Sequence, residues 1–83
     1  MEIKILGAGC ANCKRLEQLT HEAVAEAGIS AQIIKVTDMK AIMSYPILST
    51  PGLVIDETVV SSGRVPRKAE IVTFLTNALA SGV

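Results

Sequence analysis

The stretch Met1-Glu2-Ile3-Lys4-Ile5-Leu6-Gly7-Ala8-Gly9-Cys10-Ala11-Asn12-Cys13 decides how the rest of the chain reads. Glu2 to Leu6 is short and rich in Ile and Leu, as a buried strand is. Gly7 and Gly9 break it. Over residues 11–27 the pattern turns helical: Leu16, Leu19, Ala23, Val24 and Ala27 share one face, while Lys14, Glu17, Gln18, His21 and Glu22 lie largely elsewhere. Gly28 is a natural C-terminal stop. The two cysteines of the chain therefore sit at a strand–glycine–helix junction, Cys10 just before the helix and Cys13 one turn into it.

Outward from this junction the segments alternate. Residues 31–36, with Ile33, Ile34 and Val36, read as a second strand. Thr37 or Asp38 can cap a short helix over residues 39–45, which Pro46 ends. Ser49-Thr50-Pro51-Gly52 is a turn, residues 53–55 a third strand and residues 58–61 a fourth. Asp56-Glu57 connects the last two, and because Glu57 suits a tight primed turn poorly, a longer loop is expected. Gly63 closes the fourth strand. Pro66 then opens a final helix with Ile71, Val72, Leu75, Ala78 and Leu79 inward, stopped by Gly82. The order is βαβαββα: an α/β fold, with a four-stranded mixed sheet carrying helices on both faces, and residues 1–83 form a single domain. Its opening βαβ unit predicts a parallel strand pair.

Composition narrows the function. The chain has 83 residues, 49% of them hydrophobic, and Tyr45 and Phe74 are its two aromatics, so the core is aliphatic. Eight basic and eight acidic residues give no net charge and form no basic block. Clustered Lys and Arg, and aromatic platforms, are what nucleic acids require, and neither is present. The longest uncharged run, residues 41–55, is broken by Pro46, Pro51 and Gly52 and cannot span a bilayer. No secretory signal is visible at the start, so a cytoplasmic protein is expected, and a monomer.

The placement of the cysteines is chemical rather than structural. A disulfide between them closes too small a loop to constrain the unfolded chain much. At a helix start the first N–H groups have no partner and the dipole is positive, and both favour a thiolate at Cys10. Cys13 lies in line with Leu16, Thr20 and Val24, toward the packed side. Cys10 stands between Gly9 and Ala11, open to a partner. Cys10 is expected to attack a substrate disulfide, and Cys13 to displace the substrate and leave Cys10–Cys13 oxidised.

Gly9-Cys10-Ala11-Asn12-Cys13 on a β–α junction resembles the thioredoxin superfamily, and Thr50-Pro51 ahead of the third strand looks like that superfamily's cis-proline site. More closely, the chain is similar to small glutaredoxin-sized proteins of archaea and anaerobic bacteria that carry Cys-Ala-Asn-Cys. Thr50 to Asp56 and Gly63 to Pro66 add to the match, which spans essentially the whole chain. The resemblance implies a protein dithiol–disulfide oxidoreductase with Cys10 and Cys13 catalytic, and a cis peptide bond at Pro51. It implies a groove for an extended substrate segment along Gly9, Ala11, Asn12, Thr50, Pro51, Gly63, Arg64 and Val65. It further implies disulfide-containing client proteins, a thioredoxin-reductase-like electron donor, and no organic cofactor. The chain departs from ordinary thioredoxins in three places: Gly9 replaces the tryptophan before the first cysteine, Ala11-Asn12 replaces Gly-Pro, and Lys4 falls where the superfamily keeps a buried acid.

The alternative is a soft-metal carrier. Two thiolates can hold Cu(I), and the Gly-x-Gly-Cys-Ala-Asn-Cys loop loosely resembles that of copper chaperones. Those domains run βαββαβ, and here a helix follows the second strand. Zinc needs four ligands, and His21, about 12 Å along the helix from Cys13 at ~1.5 Å per residue, cannot join the pair. His21 is expected to be a solvated helix residue. Met39 and Met43 are expected to pack, and Arg67 and Lys68, at a helix start that the dipole disfavours for cations, to be solvated.

Overall fold

The computed structural model describes residues 1–81 and places seven elements: β1 (Glu2–Leu6), α1 (Ala11–Ala27), β2 (Gln32–Val36), α2 (Met39–Met43), β3 (Gly52–Ile55), β4 (Thr58–Ser62) and α3 (Lys68–Ser81). The four strands form one sheet in the order β2-β1-β3-β4. β1 runs parallel to β2 and antiparallel to β3, and β4 is antiparallel to β3. This is the α/β mixed sheet that the alternating pattern predicts. The Gly82 stop lies outside the described residues.

Alternation along β1 and β3 sorts the core into two layers. Ile3, Ile5, Leu53 and Ile55 face one side, where they pack with Leu16 and Ala23 of α1 and Ile71 and Leu75 of α3. Leu6 and Val54 face the other side and pack with Ile42 of α2, under Tyr45, Ile47 and Val59. Helices thus cover both faces, and β1, in the middle of the sheet, carries the cysteine loop out of its C-terminal end. β4 has a bulge at Val60, since Leu53 opposes Ser61 while Val54 opposes Val59.

Several sequence expectations are corrected here. Asp56 and Glu57 form a two-residue turn after all, with φ of 46° and 66°. Positive φ at both centres is what a hairpin that follows the strand twist requires. Glu57 is held there because its carboxylate accepts from Lys4 Nζ, and because Asp56 Oδ1 accepts from Glu2 N at 2.8 Å. Pro66 does not open α3. It is buried ahead of the helix, and Glu70 Oε1 accepts from Arg67 N at 3.3 Å, the reach-back half of a capping box. Lys68 is not simply solvated: it pairs with Glu26 of α1 at 3.1 Å. Leu79 is 54% exposed rather than inward, and Ala23, not Val24, is the fully buried residue of α1 at that level. Met39 and Met43, at 60% and 74% exposure, do not pack.

Candidate functional site

Cys10 is the N-cap of α1, in extended backbone, and its Sγ accepts a hydrogen bond from Cys13 N at 3.1 Å. That contact satisfies one of the orphan donors of the helix start and aims it at sulfur. Cys10 and Cys13 are joined in a disulfide, with Cα atoms 5.0 Å apart. Their environments differ: Cys10 is exposed and Cys13 is 5% exposed. Cys13 begins the buried row Cys13, Leu16, Thr20, Ala23 on α1, so the helix that presents Cys10 also roots Cys13 in the core.

Gly7 makes room for Cys13. A β-carbon at residue 7 would overlap Cys13 Sγ and lie 3.2 Å from Cys13 Cβ and 3.9 Å from Thr50 Cβ. The β1–α1 loop, Cys13 and the loop that carries Thr50 therefore meet at one place. The Thr50–Pro51 peptide bond is cis, and Pro51 is buried while Thr50 is exposed. Gly63 closes on the same loop: its N–H donates to Pro51 O at 2.9 Å. Its φ of +75° lies in the left-handed region that favours glycine, and a β-carbon at residue 63 would also have to displace Ser49 Oγ, 2.5 Å away. Gly9, Ala11 and Asn12 are exposed around Cys10.

Arg64 points into a different interaction. Its guanidinium is bidentate on Glu70, at 3.3 and 2.9 Å, which raises the arginine's pKa and lowers that of Glu70. Lys4 is likewise engaged away from the sulfurs. Its Nζ donates to Glu57 and, at 2.9 Å, to Tyr45 Oη, near the hairpin at the far end of β1. The Glu57 hydrogen bond, followed by that to Tyr45, pushes the Lys4 pKa up, and the same contact pushes that of Glu57 down.

Two features beside the disulfide were missed in the sequence. One is a small cavity of about 80 Å³ that Cys13, Gly7 and Gly9 share with Glu17 and Lys35. The helical spacing of Cys13 and Glu17 was visible, but the approach of Lys35 from β2 was not. The other is an apolar rim next to Thr50, made by Met39, Met43, Ile47 and Leu48. A depression of about 400 Å³ between the β3–β4 hairpin and α3 does not reach the cysteines. Among the described residues, no three His, Cys, Asp or Glu side chains are grouped to hold a metal.

Comparison with known proteins agrees with this geometry. A profile of the thioredoxin domain matches residues 1–76. The chain belongs to the thioredoxin family. It is 42% identical over 76 residues to a thioredoxin of Methanothermobacter thermautotrophicus, covering 92% of this chain and 99% of that one. It is 39% identical over 69 residues to a thioredoxin of Methanocaldococcus jannaschii, covering 83% and 79%. In structure it is similar to thioredoxin 1 of Thermosipho africanus, with a TM-score of 0.63, 16% identity, and 99% and 98% of the two chains covered. As a thioredoxin-family protein with a Cys-x-x-Cys disulfide, it is a protein disulfide oxidoreductase. No helix among the described residues is long and apolar enough to cross a membrane.

Proposed function

We propose that this protein reduces client disulfides with Cys10 as nucleophile and Cys13 as resolving thiol. The observation that carries the assignment is the difference in access: Cys10 is exposed at a helix N-cap, and Cys13 is 5% exposed. With the dithiol reduced, the Cys13 N–H and the helix dipole stabilise a thiolate on Cys10. Cys10 attacks a client disulfide and forms a mixed disulfide, and Cys13 then attacks Cys10 and releases the client. An extended client segment lies along Gly9, Ala11 and Asn12 on one side and Thr50, Pro51 and Gly63 on the other. Arg64, next in sequence to Gly63, is tied to Glu70.

The apolar rim of Met39, Met43 and Leu48 favours clients that expose apolar side chains near the disulfide, as partly unfolded chains do. Electrons for the next cycle come from a thioredoxin-reductase-like donor, and the cycle uses no organic cofactor. A Cys13→Ser variant is expected to accumulate mixed disulfides with reducible protein substrates, and a Cys10→Ser variant to capture none. Capture by Cys10→Ser but not by Cys13→Ser would reverse the roles.

A further inference from the structure

Resolution of the mixed disulfide requires Cys13 as a thiolate, yet Cys13 is 5% exposed and burial disfavours the charged form. Its proton needs a nearby acceptor. Lys4 is committed to Glu57 and Tyr45. The cavity beside Cys13 contains one carboxylate, that of Glu17. Glu17 is four residues on from Cys13, on the same helix face, and helical side chains lean toward the N-terminus, here toward Cys13. The Glu17 side chain is 27% exposed. Lys35 Nζ, from β2, stands 3.8 Å from Glu17 Oε2, and His21 Nε2, on α1, 4.0 Å from the same oxygen. Lys14 and Thr37 complete the polar wall. At about 80 Å³ the cavity has room for roughly two waters, each of which occupies about 30 Å³ in the liquid.

We infer that Glu17 accepts the Cys13 proton, through cavity water, in the step that resolves the mixed disulfide, with Lys35 positioning its carboxylate. The inference rests on the role of Cys13 proposed above. In the step, Cys13 Sγ–H yields its proton by way of water to the Glu17 carboxylate. The sulfur's electron pair forms the Cys10–Cys13 bond. The Cys10–client S–S bond breaks, and its electron pair leaves on the client sulfur. That thiolate is protonated from solvent, to which Glu17 returns the proton. Two electrons pass from the dithiol to the client.

The test uses the reduced full chain and 5,5′-dithiobis(2-nitrobenzoate), followed by stopped-flow absorbance. Attack by Cys10 releases one thionitrobenzoate, and attack by Cys13 on the resulting mixed disulfide releases a second. For Glu17→Gln the first release is expected to be unchanged, which also reports an intact fold. The second is expected to slow roughly 10²-fold near neutral pH, the low end for a positioned acid–base group. Its rate should then rise about tenfold per pH unit, so that the deficit closes roughly two units above neutral, beyond the ordinary thiol value near 8.5 because Cys13 is buried. Glu17→Asp should recover part of the rate, and Lys35→Met should slow the second release without steepening its pH profile. Identical pH profiles for wild type and Glu17→Gln, or equal slowing of both releases, would overturn the inference while leaving the dithiol reading intact. A wild-type protein that gives no second release overturns the dithiol reading itself.

Discussion

Gly7 and Cys13 are packed back to back: the place where a β-carbon of residue 7 would go is occupied by Cys13 Sγ. Gly7 N also donates to Val36 O at 3.0 Å, so the loop is tied to the sheet and cannot back away freely. Gly7→Ala is therefore expected to destabilise the protein by about 1–3 kcal/mol, the usual cost of overpacking a close contact. Urea unfolding of the oxidised protein measures it. An unchanged midpoint would show that the loop relaxes without penalty.

Access and polarity around the two sulfurs predict selective chemistry. In the reduced protein, iodoacetamide at about pH 7 should modify Cys10 well before Cys13, with mass mapping as the readout. The pH midpoint of that reaction should lie below about 8.5, the ordinary thiol value. Alkylation of Cys13 first would contradict the burial seen here.

Exposed Met43 and Leu48 are expected to matter for protein substrates and not for small disulfides. Leu48 is fully exposed and Met43 is 74% exposed, so Asp at either position should leave the fold unaffected. Each substitution should raise KM for reduction of insulin severalfold. Turnover of a small aromatic disulfide should not change. Equal loss on both substrates would place the effect at the cysteines instead of the rim.

The Lys4–Glu57 pair gives stability a predictable pH profile. The Glu57 pKa is lowered from an ordinary 4.5 by the Lys4 hydrogen bond, so its contribution is present above that value and fades as pH falls through and below it. The Lys4 pKa is raised from 10.5, first by Glu57 and then by Tyr45, so its contribution is complete below 10.5 and fades as pH rises beyond it. Both groups are solvent-accessible, so the effect is modest and salt-dependent. Lys4→Met should flatten the profile of melting temperature against pH at both ends. In that background Glu57→Gly should lower the melting temperature less than it does in the wild type, because glycine accepts φ of 66° without strain and only the Tyr45 Oη hydrogen bond at 3.2 Å, not an ion pair, is then lost.

The element order and the cysteine junction were legible because each rests on local signals: β1 and α1 differ in hydrophobic period, and Gly7, Gly9 and Gly28 punctuate them. Long-range choices were not. The tight turn at Glu57 depends on Lys4, more than fifty residues away in sequence. The neighbourhood of Glu17 depends on Lys35, which only strand pairing brings near. Met39, Met43 and Leu79 carry apolar side chains at helical spacing, and spacing alone cannot tell a core face from one left in solvent. Pro66 obeys its helix-start preference only loosely, since Arg67 and Glu70 build the cap without it.

The Val60 bulge has a consequence at the level of solubility. β4 is a border strand of the sheet, and a flat border strand is a template on which extended polypeptides polymerise. On the function proposed above, the substrates include half-unfolded chains, the very molecules most prone to add themselves to such a border. The extra residue at Val60 coils β4 out of plane and spoils its repeat of donors and acceptors. In that reading, clients would be engaged at the sulfurs without being recruited into an aggregate along the margin of the sheet.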